Sequence, residues 1–194
     1  MAKEEKQINP QHETKNISQG RGKGWEEAIQ HKVLNLHFKD VEKVSEDKIK
    51  HEFKIEVKGL KQLGAKANVF ADFVVDRGEY YELIECKEWN HPIFNIGPAL
   101  GQALVYKELI KKTNGYPGNK EKHIKLSLCF VDHFVSQYGR WTPDHDDLLT
   151  KLARSTGEEL SVYLVAPKES KFSAKEYLKE DKNFHVVQPV KIFK

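Results

Sequence analysis

Two neighbouring apolar runs constrain this chain more than anything else in it. They are NVFADFVVD at residues 68–76 and YYELIECK at residues 80–87. Both are of strand length and rich in Val, Ile, Phe and Tyr, the residues that suit a pleated, half-buried surface. Arg77-Gly78 lies between them, and glycine tolerates the positive φ that tight hairpin turns require. The pair therefore predicts a β-hairpin. Three charges are set into it: Asp72, Glu85 and Lys87.

A turn closed on Arg77-Gly78 brings Asp76 opposite Glu79 and Asp72 opposite Leu83. Residues that pair directly share a face, as do residues two apart on one strand. Asp72, Leu83, Glu85 and Lys87 are thus expected on one side, with Asp72 and Glu85 diagonal neighbours about 7–8 Å apart at the backbone. Phe73, Val75, Ile84 and Cys86 are expected on the other, core-facing side. Two carboxylates that converge beside apolar strands repel unless something neutralises them. A hard divalent cation with oxygen ligands does this, and the backbone carbonyl of Cys86 is a candidate third ligand. Lys87 would then stand where it can orient a water and stabilise charge developing on a phosphate. The competing reading is a solvated strand face with a cross-strand ion pair. The tripeptide E-x-K alone does not decide between them, since it occurs eight times in the chain.

The remaining elements fit around this hairpin. Residues 1–22 are polar and aperiodic and run into Gly20-Arg21-Gly22-Lys23-Gly24, which reads as a flexible arm. Residues 23–194 then read as one domain. Trp25, Ile29, Val33 and Leu36 recur at helical spacing. Phe53, Ile55 and Val57 alternate with Lys54, Glu56 and Lys58, a half-exposed strand. After the hairpin, Pro98 is placed to open a helix running to about Thr113, which Asn114-Gly115 stops. A strand IKLSLCFVD, a helix from about Pro143 to Ser155, a strand LSVYLVA and a final strand-like piece around His185–Phe193 follow. The order predicts a mixed α/β sheet flanked by helices.

Charge is almost balanced, with 32 Lys+Arg against 29 Asp+Glu and a net +3. That departs from a dedicated polybasic nucleic-acid binder but suits an acidic site with a basic rim. No apolar run reaches the roughly 18–20 residues of a membrane span, and MAKEEKQINP lacks the apolar stretch of a signal peptide. Cys86 and Cys129 both lie in apolar runs, which argues for a reducing, cytoplasmic setting. Without a CxxC, and with nine scattered histidines, ligand spacing does not point to zinc.

Ala71-Asp72 followed by Glu85-Cys86-Lys87 resembles the motif of the PD-(D/E)XK nuclease superfamily. The Asp-to-Glu spacing is similar to that of archaeal Holliday-junction resolvases and restriction-endonuclease-like proteins. Ala71 stands where the family's naming proline would be, at a position that varies. The resemblance covers about residues 24–132. It implies a restriction-endonuclease-like fold with an αβββαβ core, and hydrolysis of DNA phosphodiesters with Mg2+ or Mn2+. It implies that Asp72 and Glu85 hold the metal and that Lys87 serves the nucleophile. It further implies an acid on the first helix. Glu26 lies on the edge of the apolar face and is preferred to Glu27, although acids in a first helical turn are favoured by the helix dipole anyway. Gln102 and Tyr106, four apart on the helix after E-x-K, are similar to the QxxxY motif of RecB-type and phage exonucleases, where it holds the DNA strand.

Lys58, Lys61 and Lys66 border one Gly-containing loop, and Lys111, Lys112, Lys120 and Lys122 another. Such loops can contact phosphates, though most surface lysines are merely solvated. Trp89, His91 and Phe94 follow E-x-K and could stack on bases or pack beneath the loop. Asp144-His145-Asp146-Asp147 reads as the start of a helix, and Asp132-His133 has no evident partner. DNA is the expected partner and a homodimer is compatible with the sequence. The rival expectations are a DNA-binding protein of nuclease fold that does not cut, and a domain whose hairpin face is simply polar.

Overall fold

The structure is a computed structural model that describes residues 30–56, 68–87, 92–113, 115–131, 141–168 and 184–194. Glu26, Glu27, Lys58, Lys61, Lys66, Trp89, His91, Asp132, His133 and the proposed arm lie outside the described residues. The elements are helix α1 (Lys32–Leu36, passing into a π-helical turn at His37–Val41), β1 (Ile49–Glu56), β2 (Asn68–Asp76), β3 (Tyr80–Cys86), α2 (Pro92–Thr113), β4 (His123–Val131), α3 (Pro143–Thr156), β5 (Leu160–Pro167), β6 (Phe184–Val186) and β7 (Lys191–Phe193).

They form a mixed α/β architecture around one seven-stranded sheet of order β1-β2-β3-β4-β5-β6, with β7 also paired to β5. β1, β2 and β3 run antiparallel in sequence. β3, β4 and β5 are parallel neighbours, because each is linked to the next through a helix that crosses back over the sheet. Ile96, Ala99, Leu100, Ala103 and Ile110 of α2 bury against one face, joined by Leu149 and Ala153 of α3. Val33, Leu34 and Phe38 of α1 bury against the other, on Phe73, Val75, Ile84 and Cys86. With both faces covered, β3 reads as a nearly continuous apolar run rather than an alternating one. Among the described residues no helix is long and apolar enough to cross a membrane.

The hairpin turn sits one residue later than expected. Gly78 has φ 87°, and Arg77 N–H donates to Tyr80 C=O at 2.9 Å, so the two-residue loop is Gly78-Glu79. A loop on Arg77-Gly78 would have asked a non-glycine residue to take the positive φ at its first position. The register moves by two: Asp76 pairs with Tyr81, Val74 with Leu83 and Phe73 with Ile84. Extended one step, it sets Asp72 directly across from Glu85 instead of diagonal to it.

Helix α2 also differs from expectation. It starts at Pro92, leaving Pro98 inside. Pro92 suits a first turn, where its missing N–H is not needed. The residue before a proline normally avoids the helical region because its Cβ crowds the ring, and here that residue is Gly97. The predicted stop holds: Gly115 N–H caps Ile110 C=O at 3.0 Å.

A buried ionic cluster ties the hairpin to the α1 side. Glu82, 4% exposed, accepts from Arg77 Nε at 2.6 Å, Tyr163 Oη at 2.9 Å and Ser127 Oγ at 2.5 Å. Arg77 also pairs with Glu42, and its guanidinium lies over the Phe38 ring. The carboxylate and the guanidinium are both well supplied with partners, which is what keeps such burial from being ruinous. We read the cluster as a fastening of β3, β5 and α1, not as a reactive centre.

Candidate metal and phosphate site

Strand alternation should keep residues two apart on one face. At Asp72 it does not. Phe53 and Ile55 of β1 and Ala71 of β2 pack with α2, whereas Ile49 of β1 and Phe73 and Val75 of β2 pack with α1. The exchange happens at one step. Glu52 has φ 47°, and the β1–β2 ladder pairs His51 with Phe73 and Phe53 with Ala71 but has no pair between them. Asp72 is the residue opposite Glu52. The β2–β3 ladder also ends here, at Phe73 and Ile84. The expectation that simple alternation puts Asp72 on the Glu85 face is therefore replaced by a pivot. Asp72, with 17% of its side chain exposed, turns into the gap between the strands and accepts Cys86 N–H on Oδ2 at 2.6 Å. A side-chain carboxylate does what a backbone carbonyl would do in a regular ladder, and the charge-assisted bond fixes its direction.

Glu85 and Lys87 occupy the adjoining face. Lys87 Nζ donates to Glu85 Oε1 at 2.6 Å, with the lysine side chain 21% exposed and the glutamate 4%. Over them lies α2. The Tyr106 ring packs into the core, and Gln102 Nε2 reaches its hydroxyl at 3.4 Å. Burial, and next the charge of Glu85, push the Tyr106 phenol above its ordinary value. Gln102 and Tyr106 thus do share a helix face, and Tyr106 lies within electrostatic reach of Glu85, Lys87 and Asp72.

From the opposite face, the helical turn Gln30-His31 that leads into α1 supplies residues that spacing did not single out. Gln30, 1% exposed, donates from Nε2 to Lys87 C=O at 2.8 Å and to Cys129 C=O at 3.4 Å. Lys87 N–H bonds to Cys129 C=O at 3.0 Å. The end of β3 is thereby held by its parallel neighbour and by the first helix together. His31 Nε2 stands 3.6 Å from Asp72 Oδ1, while His31 Nδ1 meets His51 Nε2 at 2.7 Å. Burial alone would pull the His31 imidazole down, but the Asp72 carboxylate and the Cys86 thiol beside it push it up to about 10. Burial raises the Cys86 thiol well above its ordinary value, and the adjacent Cys129 raises it further.

Glu85 and Lys87 are thus paired with each other, with Gln102 and Tyr106 nearby on α2, and the strand register places Asp72 across from Glu85 on β2. Two nearly enclosed carboxylates at a strand end, with one lysine and one histidine as the neighbouring cations, are a donor set that fits a hard divalent ion. Of the basic residues in the second proposed phosphate loop, Lys122 is occupied by Asp76 at 2.6 Å and Lys111 by Glu108 at 2.7 Å. The Asp144–Asp147 stretch is the first turn of α3, as expected, with Asp146 paired to Lys191 at 2.7 Å. No family model, no curated protein and no solved structure matches this chain.

Proposed function

We propose that this chain is a divalent-metal-dependent nuclease that hydrolyses DNA phosphodiester bonds, of restriction-endonuclease-like architecture. The observation that carries the reading is the opening of the β2–β3 ladder beside two carboxylates and a lysine, with Asp72 locked in direction by Cys86 N–H. The resemblance of Ala71-Asp72…Glu85-Cys86-Lys87 to the PD-(D/E)XK motif, and the antiparallel β1–β2–β3 meander followed by parallel β4, support it.

Asp72 and Glu85 would hold Mg2+ or Mn2+, with the Cys86 carbonyl as a further oxygen donor. When bound, the ion supplies a Lewis acid for the phosphate and an acidified water. Lys87 Nζ, held by Glu85, would be the ammonium that faces the water and the phosphate once Glu85 served the ion. Gln30, by gripping Lys87 C=O, keeps the root of that side chain in place. The Gln102 amide and Tyr106 hydroxyl are uncharged donors suited to a phosphate oxygen and poor ligands for a hard cation. Glu26 is proposed as an assisting acid on the strength of the family motif.

Cleavage of linear, circular, branched and single-stranded DNA, assayed with Mg2+ and with EDTA, tests the reading. Cutting that needs the metal and disappears in Asp72→Asn supports it. DNA binding with no cutting of any substrate would instead favour the non-cleaving alternative.

A further inference from the structure

We propose that His31 Nε2, the Asp72 carboxylate and Cys86 Sγ form a binding site for a thiophilic divalent cation of the Zn2+ type. Among the described residues these are the His, Asp and Cys groups whose ligand atoms all lie within 4.8 Å of one another. A tetrahedral cation with bonds of about 2.0–2.3 Å holds its ligand atoms roughly 3.3–3.8 Å apart, so side-chain rotations that move ligand atoms by about 1 Å close the set. The second observation is His31 itself. It is 6% exposed, and its Nε2 has no hydrogen-bond partner among the described residues; Asp72 Oδ1 stands 3.6 Å from it. The other ring nitrogen is engaged by His51 at 2.7 Å, the arrangement that orients a metal-ligating imidazole from behind. Phe73 packs edge-on to the His31 ring and limits its rotation.

Nitrogen and sulfur donors favour Zn2+ or Co2+, whereas the oxygen set of Asp72 and Glu85 favours Mg2+ or Mn2+. Asp72 belongs to both sets. On the reading given above, a thiophilic ion seated here therefore removes a carboxylate from the hard-cation site and suppresses turnover. Binding replaces the protons on the Cys86 thiol and the His31 imidazole, and both are released to solvent. A cavity of about 360 Å3 lined by His31, Asn35, Glu46, His51 and Phe73 adjoins the site on its His31 side. Cys129 lies beside Cys86 across the parallel β3–β4 pair but is not within reach of all three ligands.

The test uses the full chain, reduced and free of DNA, titrated with Co2+ alone and followed by absorption. The site gives a thiolate-to-Co2+ charge-transfer band that one equivalent of Zn2+ abolishes. Cys86→Ser loses that band while Cys129→Ser keeps it, and His31→Gln weakens Co2+ binding at least about tenfold, since even residues that only support a metal ligand cost 10–100-fold. A wild-type chain that shows no such band at excess Co2+ overturns the proposal, whatever the variants do. So does a band that survives Cys86→Ser and vanishes in Cys129→Ser. The two readings separate cleanly. A sulfur band from a chain that cuts no DNA upholds this site and removes the nuclease. Mg2+-dependent cutting by a chain without the band does the reverse.

Discussion

The backbone N–H of Cys86 donates to Oδ2 of Asp72 at 2.6 Å, beyond the last regular pair of the β2–β3 ladder at Phe73 and Ile84. This bond gives Asp72 two separable jobs, one structural and one electrostatic. Asp72→Asn keeps an oxygen acceptor for the amide and removes the charge. Asp72→Ala removes both. We expect cleavage to be lost in each, and Asp72→Ala to be destabilised by about 1–3 kcal/mol for the unsatisfied amide, with Asp72→Asn appreciably less affected. Urea denaturation beside a cleavage assay checks this. Equal destabilisation of the two variants would mean that the bond to Cys86 is not what holds the pivot.

Lys87 and Glu85 neutralise each other at 2.6 Å. Glu85→Gln should lose metal binding and cutting together. Lys87→Ala should lose most of its activity while still binding Mn2+ in a calorimetric titration, because the lysine is assigned to the water and the phosphate. Lys87→Ala protein that no longer takes up Mn2+ would show that the lysine acts through the carboxylates.

Gln30 is the least conspicuous residue with a strong expectation attached. Its amide bonds two carbonyls at the parallel β3–β4 junction, those of Lys87 and Cys129. Gln30→Ala should cost about 1–3 kcal/mol in stability and lower kcat more than KM, since the root of Lys87 loses its anchor. A thermal melt and a kinetic comparison suffice. A variant with normal kcat would confine Gln30 to a packing role.

The pair Gln102 and Tyr106 should act on the nucleic acid. The double variant Gln102→Ala, Tyr106→Phe is expected to raise KM for DNA several-fold and to leave Mn2+ affinity unchanged. Unaltered DNA binding together with unaltered turnover would end that assignment.

Acid stability should report on the cluster at the other end of the hairpin. Burial works against the Glu42 charge, but the hydrogen bond from His37 and the charge of Arg77 outweigh it and hold the carboxyl below its ordinary 4.5. A carboxyl lowered in the folded state binds more protons unfolded, so stability rises with pH through this window. The contribution of Glu42 should be complete above about pH 4.5 and decline as pH falls through its lower folded value. Glu42→Gln should flatten that part of the stability curve, measured by denaturation between pH 3 and pH 6. A curve with the wild-type slope would place the acid sensitivity elsewhere.

The α/β class, the hairpin and most strand and helix positions were legible in the sequence, because they rest on local patterns: apolar runs of strand length, helical spacing, a glycine for the turn and Asn114-Gly115 for the helix stop. The ion pair of Glu85 with Lys87 follows from their i,i+2 spacing on one strand face, and a register error of two residues still leaves Asp72 on the strand beside them, but the face that Asp72 takes was not legible. Tertiary structure alone decided the rest. The pivot at Asp72 needs Glu52 of another strand at positive φ, which no pattern within β2 announces. Gln30 and His31 reach the site across the sheet from the turn that leads into α1, from 57 positions before Lys87 in the case of Gln30, and spacing rules see only neighbours. His31, Asp72 and Cys86 are scattered in sequence, so a search for ligand spacing passes over them. They meet because the turn leading into α1 packs where the β1–β2 and β2–β3 ladders open together, and only the folded chain brings an imidazole, a carboxylate and a thiol into that gap.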